Sequence, residues 1–303
     1  MRLINSILLL LAGHAAAQHV HLDIPEVSQY ISAIESEFSA WYHGPRPTIP
    51  HPTHSPNPFH SPAPSACAYW LEDIKHQGIA AFNPNPSTYQ VFRNVKDFGA
   101  KGDGVTDDTV AIQNAISSGG RCAPGSCSST TTTPAIVYFP AGTYMISSSI
   151  IDYYYTQMIG NPNCVPTIKA SANYTGTNGL GLIDGDKYGA NGLGFGATNV
   201  FYRQIRNFVI DTTLVPANES VTGIHWPTAQ ATSLQFITFN MSQETGTQHQ
   251  GVFIERGSGG FIGDLTFYGG LYGIQVSGVI ISVHFLVLIL LFRMAINSSR
   301  SHD

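Results

Sequence analysis

Ile205-Arg-Asn-Phe-Val-Ile-Asp211 is followed 29 residues later by Leu234-Gln-Phe-Ile-Thr-Phe-Asn240, and 28 residues after that by Ile262-Gly-Asp-Leu-Thr-Phe-Tyr268. The apolar pairs Phe208/Ile210, Ile237/Phe239 and Leu265/Phe267 fall in register, with the β-branched Val209, Thr238 and Thr266 between them. Alternation within each phrase reads as a strand with one buried face. Recurrence at a near-constant interval reads as a solenoid, whose turns bury a continuous core only when stacked. A second set runs alongside: Gly223-Ile-His-Trp226, Gly251-Val-Phe-Ile254 and Gly273-Ile-Gln-Val276. Each turn therefore carries at least two short strands. The expected fold is all-β, a right-handed parallel β-helix preceded by short N-terminal helices.

Composition agrees. Only 11% of the 303 residues are charged, against 30 Gly and 18 Pro, which suits a turn-rich β protein and not a helical bundle. The formal net charge is −5, and no basic patch or aromatic–basic stripe points to a nucleic-acid partner.

Residues 1–17 combine Arg2, the apolar run Ile7–Leu11 and the small-residue site Ala15-Ala16-Ala17, the pattern of a secretory signal peptide. They predict a secreted, extracellular protein starting at Gln18. Residues 18–42 form an N-terminal segment with Val27, Ile31, Ile34, Phe38 and Trp41 near helical spacing. Residues 43–66, with eight prolines and four histidines, read as an extended linker whose histidines have no fixed geometry for a metal. The β-helix is assigned to residues 67–276. Residues 277–303 are an atypical apolar tail: Gly278–Phe292 lacks strand alternation, and at fifteen residues, interrupted by His284, it argues against a membrane anchor. This tail is expected to be foreign to the solenoid, arising from an unspliced intron or a misjudged gene end, so that the β-helix is truncated.

The sequons at Asn173, Asn218, Asn240 and Asn297 are glycosylation candidates consistent with secretion. Four cysteines in a secreted chain suggest disulfides. Cys122 and Cys127 bracket Ala-Pro-Gly-Ser, a plausible local staple that would leave Cys67 for Cys164, but three pairings stay open. No His lies at ligand spacing from these cysteines, so no zinc is assigned.

Several local elements are expected ahead of the repeat. Tyr69–Gly78 reads as a short helix ended by Gly78, and Phe92–Phe98 as a strand. After the turn Gly99–Asp108, Thr106 or Asp107 is expected to cap a helix carrying Val110, Ile112, Ala115 and Ile116, closed at Gly119-Gly120. Such a helix could cover the open end of the solenoid. Ala135–Phe139, Tyr144–Ile151 and Thr167–Ala170 are strand candidates, followed by Gly-rich turns up to Gly196.

Three groups bear on chemistry. Asp103, Asp107 and Asp108 are close enough in sequence to suggest calcium, but they do not match an EF-hand loop and suit local capping. Asp184, Asp186, Asp211, Glu244, Glu255 and Asp264 could supply carboxylates for sugar hydrolysis, yet spacing singles out none, and each reads as a solvated turn residue. Gln230 and Ser258 differ. Each lies four residues before its strand phrase, so they share a register on adjacent turns. Strands stack ~4.8 Å apart, close enough for both side chains to hold one water. The position one turn earlier is Phe201, so no polar ladder runs the length of the solenoid.

These residues carry a resemblance. Asn94-Val-Lys-Asp-Phe-Gly-Ala-Lys-Gly-Asp-Gly-Val-Thr-Asp-Asp108 resembles the opening motif of the pectate-lyase-like superfamily, which specifies fold more than substrate. Tyr69–Gly78, Ile151-Asp-Tyr-Tyr-Tyr-Thr156, Gly181-Leu-Ile-Asp-Gly185, Phe201–Asp211 and Gly257–Asp264 are similar to fungal exo-β-1,3-glucanases of glycoside hydrolase family 55. The resemblance implies a pectin-lyase-like β-helix, the first of two in tandem and here incomplete, with β-1,3-glucan or another polysaccharide bound between them. It implies inverting hydrolysis, with Gln230 and Ser258 holding the attacking water. It places the general acid, a Glu, in the second β-helix, so no residue here receives that role. Arg256 stands where a small polar residue is expected. The implied protein uses no cofactor or metal, and this chain alone is expected to be inactive. Two rivals stand beside this reading: a noncatalytic carbohydrate-binding solenoid, and a pectin-degrading enzyme on the same fold, whose Asn-Thr-Asp and Gly-His-Gly signatures are absent from the repeat region.

Overall fold

The computed structural model describes residues 67–176, 179–196 and 198–277. The signal peptide, the N-terminal segment, the Pro/His linker, Asn297 and, apart from Ser277, the apolar tail lie outside the described residues.

A one-turn helix α1 (Trp70–Asp73) and strand β1 (Phe92–Asn94) lead into a 3-10 turn at Val95–Phe98. Then follow β2 (Asp103–Asp107), helix α2 (Thr109–Ser117), β3 (Ala135–Phe139), β4 (Thr143–Ser148), β5 (Ile150–Ile151), β6 (Thr156–Gly160) and β7 (Thr167–Thr175). After β8 (Ile183–Asp184) comes a small antiparallel hairpin, β9 (Tyr188–Gly189) and β10 (Gly192–Leu193). The regular turns are β11 (Gln204–Asp211), β12 (Val221–His225), β13 (Ser233–Asn240), β14 (His249–Ile254), β15 (Phe261–Tyr268) and β16 (Tyr272–Val276).

Apart from the hairpin, every strand pair is parallel. One sheet contains β11, β13 and β15; the other runs β16-β14-β12-β8-β5. Ile205 pairs with Leu234 and Leu234 with Ile262, Phe208 with Ile237 and Ile237 with Leu265, and Ile210 with Phe239 and Phe239 with Phe267. In the second sheet Ile224 pairs with Val252, and Val252 with Ile274. This is the parallel β-helix expected from the repeat.

The inward residues 205 and 208 are three apart, which strict alternation does not allow. A left-handed residue between them resets the phase: Asn207, Phe236 and Asp264 occupy equivalent positions in successive turns with φ of 61°, 54° and 54°. The same bend is wider one turn earlier. There β11 faces two strands, with Gln204–Arg206 on β6 and Val209–Asp211 on β7.

The two sheets interlock through missing side chains. A Cβ on Gly223 would lie 2.9 Å from the Phe239 ring, and one on Gly251 2.6 Å from the Phe267 ring. The glycine opening each second phrase is thus the slot for the phenylalanine of the first. Phe239 and Phe267 stack with centroids 4.9 Å apart, and Phe208 meets Phe139 edge-on at 5.0 Å.

Helix α2 buries Ile112, Ala115 and Ile116 against the first turns. Its Gln113 amide serves as a neighbour for the edge strand β5, donating to the Ile151 carbonyl at 3.1 Å and accepting the Ile151 N–H at 2.7 Å. Among the described residues no helix is long and apolar enough to cross a membrane.

Three local expectations need correction. Helix α1 stops at Asp73, with Ile74 already extended, so Gly78 does not end it. The expected strand 92–98 ends at Asn94, whose side chain accepts the Lys96 N–H and starts the 3-10 turn. The residue before α2 is Asp108, not Thr106 or Asp107. Its carboxylate turns back to the Lys101 and Gly102 amides, while Asp107 takes the Thr109 N–H and hydroxyl.

Candidate functional site

The chain turns a corner between each second-sheet strand and the next first-sheet strand. At that corner a second left-handed ladder runs up the molecule: Tyr155, Tyr202 and Ala231 at φ of 58°, 60° and 58°, then Gly259 at 95°. Each lies two residues before the register shared by Gln157, Gln204, Ser233 and Phe261, so the four are equivalent in successive turns. A non-glycine residue in this conformation costs roughly 1–2 kcal/mol. The residues just before them are Tyr154, Phe201, Gln230 and Ser258.

The structure brings Gln230 and Ser258 together. Ser258 Oγ donates to Gln230 Oε1 at 3.4 Å; Gln230 is exposed and Ser258 half-buried. The corner is stitched by main chain: Thr228 pairs with Gly257, Ser258 N–H donates to the Thr228 carbonyl at 2.9 Å, and Thr228 N–H to the Arg256 carbonyl at 3.1 Å. Only glycine fits at 257, since a Cβ there would strike the Thr228 hydroxyl and backbone.

Beneath the corner lies a buried polar layer. Arg203 is fully buried, donates to the Val200, Gly185 and Pro227 carbonyls, and sits 4.6 Å from the Trp226 ring centroid. It thereby fixes the Trp226-Pro227 segment from which Gln230 hangs. His225 Nδ1 lies 2.8 Å from Asp184 Oδ1, and Nε2 lies 3.2 Å from Glu255 Oε2. The Tyr188 hydroxyl of the small hairpin closes on the other Glu255 oxygen. This contact and burial push the tyrosine up to about 12. Burial would raise the Asp184 carboxyl, but the His225 contact and two backbone N–H groups hold it below the ordinary range. Burial raises Asp186 and Asp152 to about 6 each.

Asp184 and Asp186 are therefore not solvated turn residues: both are fully buried, and Glu255 is half-buried. The other carboxylates are peripheral. Asp211 pairs with Lys169 at 3.1 Å, and Glu244 and Asp264 are exposed. The Asp103 carboxylate accepts the Val105 and Thr106 amides. Among the described residues no cluster of three His, Cys, Asp or Glu side chains is arranged for a metal.

Disulfides join Cys67 to Cys164 and Cys122 to Cys127, the second packing beside Tyr154, Phe195 and Ala229 under the corner. Asn173 and Asn218 are exposed, whereas Asn240 is half-buried and followed by buried Met241 and Ser242.

Residues 92–293 match the family described as rhamnogalacturonase A/epimerase, pectate lyase-like. The chain belongs to this family. Over 210 residues the chain is 50% identical to a glucan 1,3-beta-glucosidase of Cochliobolus carbonum, covering 69% of this chain and 26% of that protein. A probable glucan endo-1,3-beta-glucosidase of Arthroderma benhamiae is 51% identical over 218 residues, 71% of this chain and 24% of that one. The chain thus spans about a quarter of the length of these curated relatives. The solved A-module of the Azotobacter vinelandii mannuronan C-5 epimerase AlgE6 aligns over 61% of this chain and 52% of that one, at 18% identity and a TM-score of 0.36.

In this pectate lyase-like chain, sequence reasoning missed Asp152, Arg203 and His225. One signal was present: His225 occupies the register filled by Phe253 and Gln275 in the next turns. The same column holds Asp184 on the turn before, so the histidine stands directly against a carboxylate, and Glu255 provides its second partner.

Proposed function

We propose that this chain forms a glucan-binding and water-positioning β-helix of a secreted glucan 1,3-β-glucosidase, one that inverts configuration at the anomeric carbon. The observation that carries this is the contact of Ser258 with Gln230 at the solvent-facing corner. Gln230 Oε1 keeps a second lone pair after accepting from Ser258, and Ser258 Oγ keeps its own lone pairs. One water can donate to both and aim its oxygen at a sugar carbon. Inverting hydrolysis needs such a water on the face opposite the leaving group. The glucan-hydrolase names of the relatives support the substrate class.

Gln230 and Ser258 are neutral and cannot protonate a departing glycosidic oxygen. A carboxylic acid for the leaving oxygen and a carboxylate to take the attacking water's proton must therefore come from other groups, and the pair alone should not turn over glucan. Secretion is supported by the two disulfides, which persist in oxidising compartments. A binding-only role is the second reading, favoured by the same neutrality of the corner pair.

The test is a chimaera in which residues 67–276 replace the matching part of the Cochliobolus carbonum relative. Sugar release from laminarin, with the α-anomer formed first, is expected. Release from polygalacturonate instead would overturn the substrate class, and laminarin binding without turnover would favour the binding-only role.

A further inference from the structure

We propose that Tyr155 and Tyr202 form a stacking subsite for a β-linked, uncharged glucan, holding sugar rings next to the one at Gln230 and Ser258. This extends the proposed function and rests on its placement of a sugar at that corner.

The two rings lie 4.9 Å apart at 41°, and the half-buried Phe201 ring, 6.1 Å from Tyr202, anchors the pair to the cluster beneath. Tyr202 is 40% exposed and Tyr155 half-buried, so the pair reaches solvent at the corner. Local folding does not call for it. Both tyrosines hold left-handed φ, where a bulky side chain is disfavoured and glycine is free. The same ladder position is filled by Ala231 and then Gly259 in the next turns, so the corner forms without an aromatic ring. Strain kept in bulky residues at a corner that reaches solvent marks a working surface.

Register sets what the surface meets. Tyr202 lies one rung from Ala231, the neighbour of Gln230, and two rungs from Gly259, the neighbour of Ser258. Rungs are ~4.8 Å apart, comparable to the length of a sugar ring. A chain running along the ladder from the Gln230–Ser258 corner therefore passes over Tyr202 and then Tyr155. The C–H face of β-glucopyranose is flat and apolar, matching an aromatic platform, while its equatorial hydroxyls point outward to water.

Binding is read without turnover, so the subsite and the water-holding role can fail separately. Laminarihexaose, cellohexaose and hexagalacturonate are titrated calorimetrically into the 303-residue protein, with melting recorded for each variant. Laminarihexaose should bind. Tyr202→Gly should weaken it tenfold or more while melting no lower than the parent, since glycine relieves the left-handed strain. Tyr202→Asn, which tolerates that conformation, should weaken binding alike, and Tyr202→Trp should restore it. Parental affinity in both Tyr202→Gly and Tyr202→Asn, no binding by the parent, or preference for hexagalacturonate would each overturn the proposal.

Discussion

His225 Nδ1 lies 2.8 Å from Asp184 Oδ1, with both side chains fully shielded from solvent. The other ring nitrogen faces Glu255 at 3.2 Å. A neutral imidazole has one N–H and can satisfy only one of these carboxylates; the imidazolium satisfies both. Removing the histidine would leave Asp184 buried without its partner. His225→Ala, and equally His225→Phe despite the Phe253 one turn on, should cost about 3–5 kcal/mol in urea unfolding. A loss under about 1 kcal/mol would show that this contact is not structural.

The buried carboxyls give stability an unusual acid dependence. Asp152 is pushed to about 6 by burial, which outweighs Arg203 and Arg121 nearby, and Asp186 also reaches about 6. A raised carboxyl binds its proton more tightly folded than unfolded. Its stabilising effect is complete below about pH 3.8 and is lost as pH rises through 6. Asp103 works the other way: lowered to about 2 by backbone N–H groups, it contributes above pH 3.8 and fails as pH falls to 2. Melting should therefore peak near pH 4 and drop several degrees by pH 6.5. Asp152→Asn should flatten the drop. A melting temperature climbing steadily from pH 4 to 6.5 would contradict the assignment.

Gly251 tests how the two repeats lock together. An added Cβ would lie 2.5 Å from the Gly273 carbonyl and 2.6 Å from the Phe267 ring. Gly251→Ala should destabilise by roughly 1–3 kcal/mol. Pairing it with Phe267→Leu should recover part of the loss, as measured by denaturant unfolding. Strict additivity of the two would mean that the contact is not the cause.

That interlock also shows what the sequence made legible. In-facing residues such as Ile237 and Phe239 repeat because every turn solves the same packing problem, so fold and register could be read directly. The Gln230–Ser258 juxtaposition followed from the same register. The polar layer could not be read this way. Asp184 and Asp186 sit in a Gly/Asp sequence that resembles a solvated turn, and their burial is imposed by Arg203, His225 and Phe195 from other parts of the chain. Asn94 ended its strand through one side-chain hydrogen bond that competes with the ladder, a choice that apolar patterning does not register.

The disulfides should differ in worth because they close loops of different length. Cys67–Cys164 spans 97 residues and Cys122–Cys127 spans 5. Loop-closure entropy gives ~4.7 kcal/mol for the first and ~2 kcal/mol for the second. Replacing each pair with serine and comparing melting temperatures should show the larger drop for Cys67 and Cys164. The reverse order would place the main constraint at the Cys122 loop, beside Tyr154 and Ala229.

The most direct test of the water-holding role uses the chimaera carrying residues 67–276, with Gln230→Ala and Ser258→Ala made singly and together. General catalysis by positioned groups is worth ~10²–10⁴-fold. Each single change should lower kcat for laminarin about 100-fold, with KM and melting temperature nearly unchanged. The double variant should lose little more than either single, since both hold one water. Full turnover in the double variant would remove Gln230 and Ser258 from the mechanism.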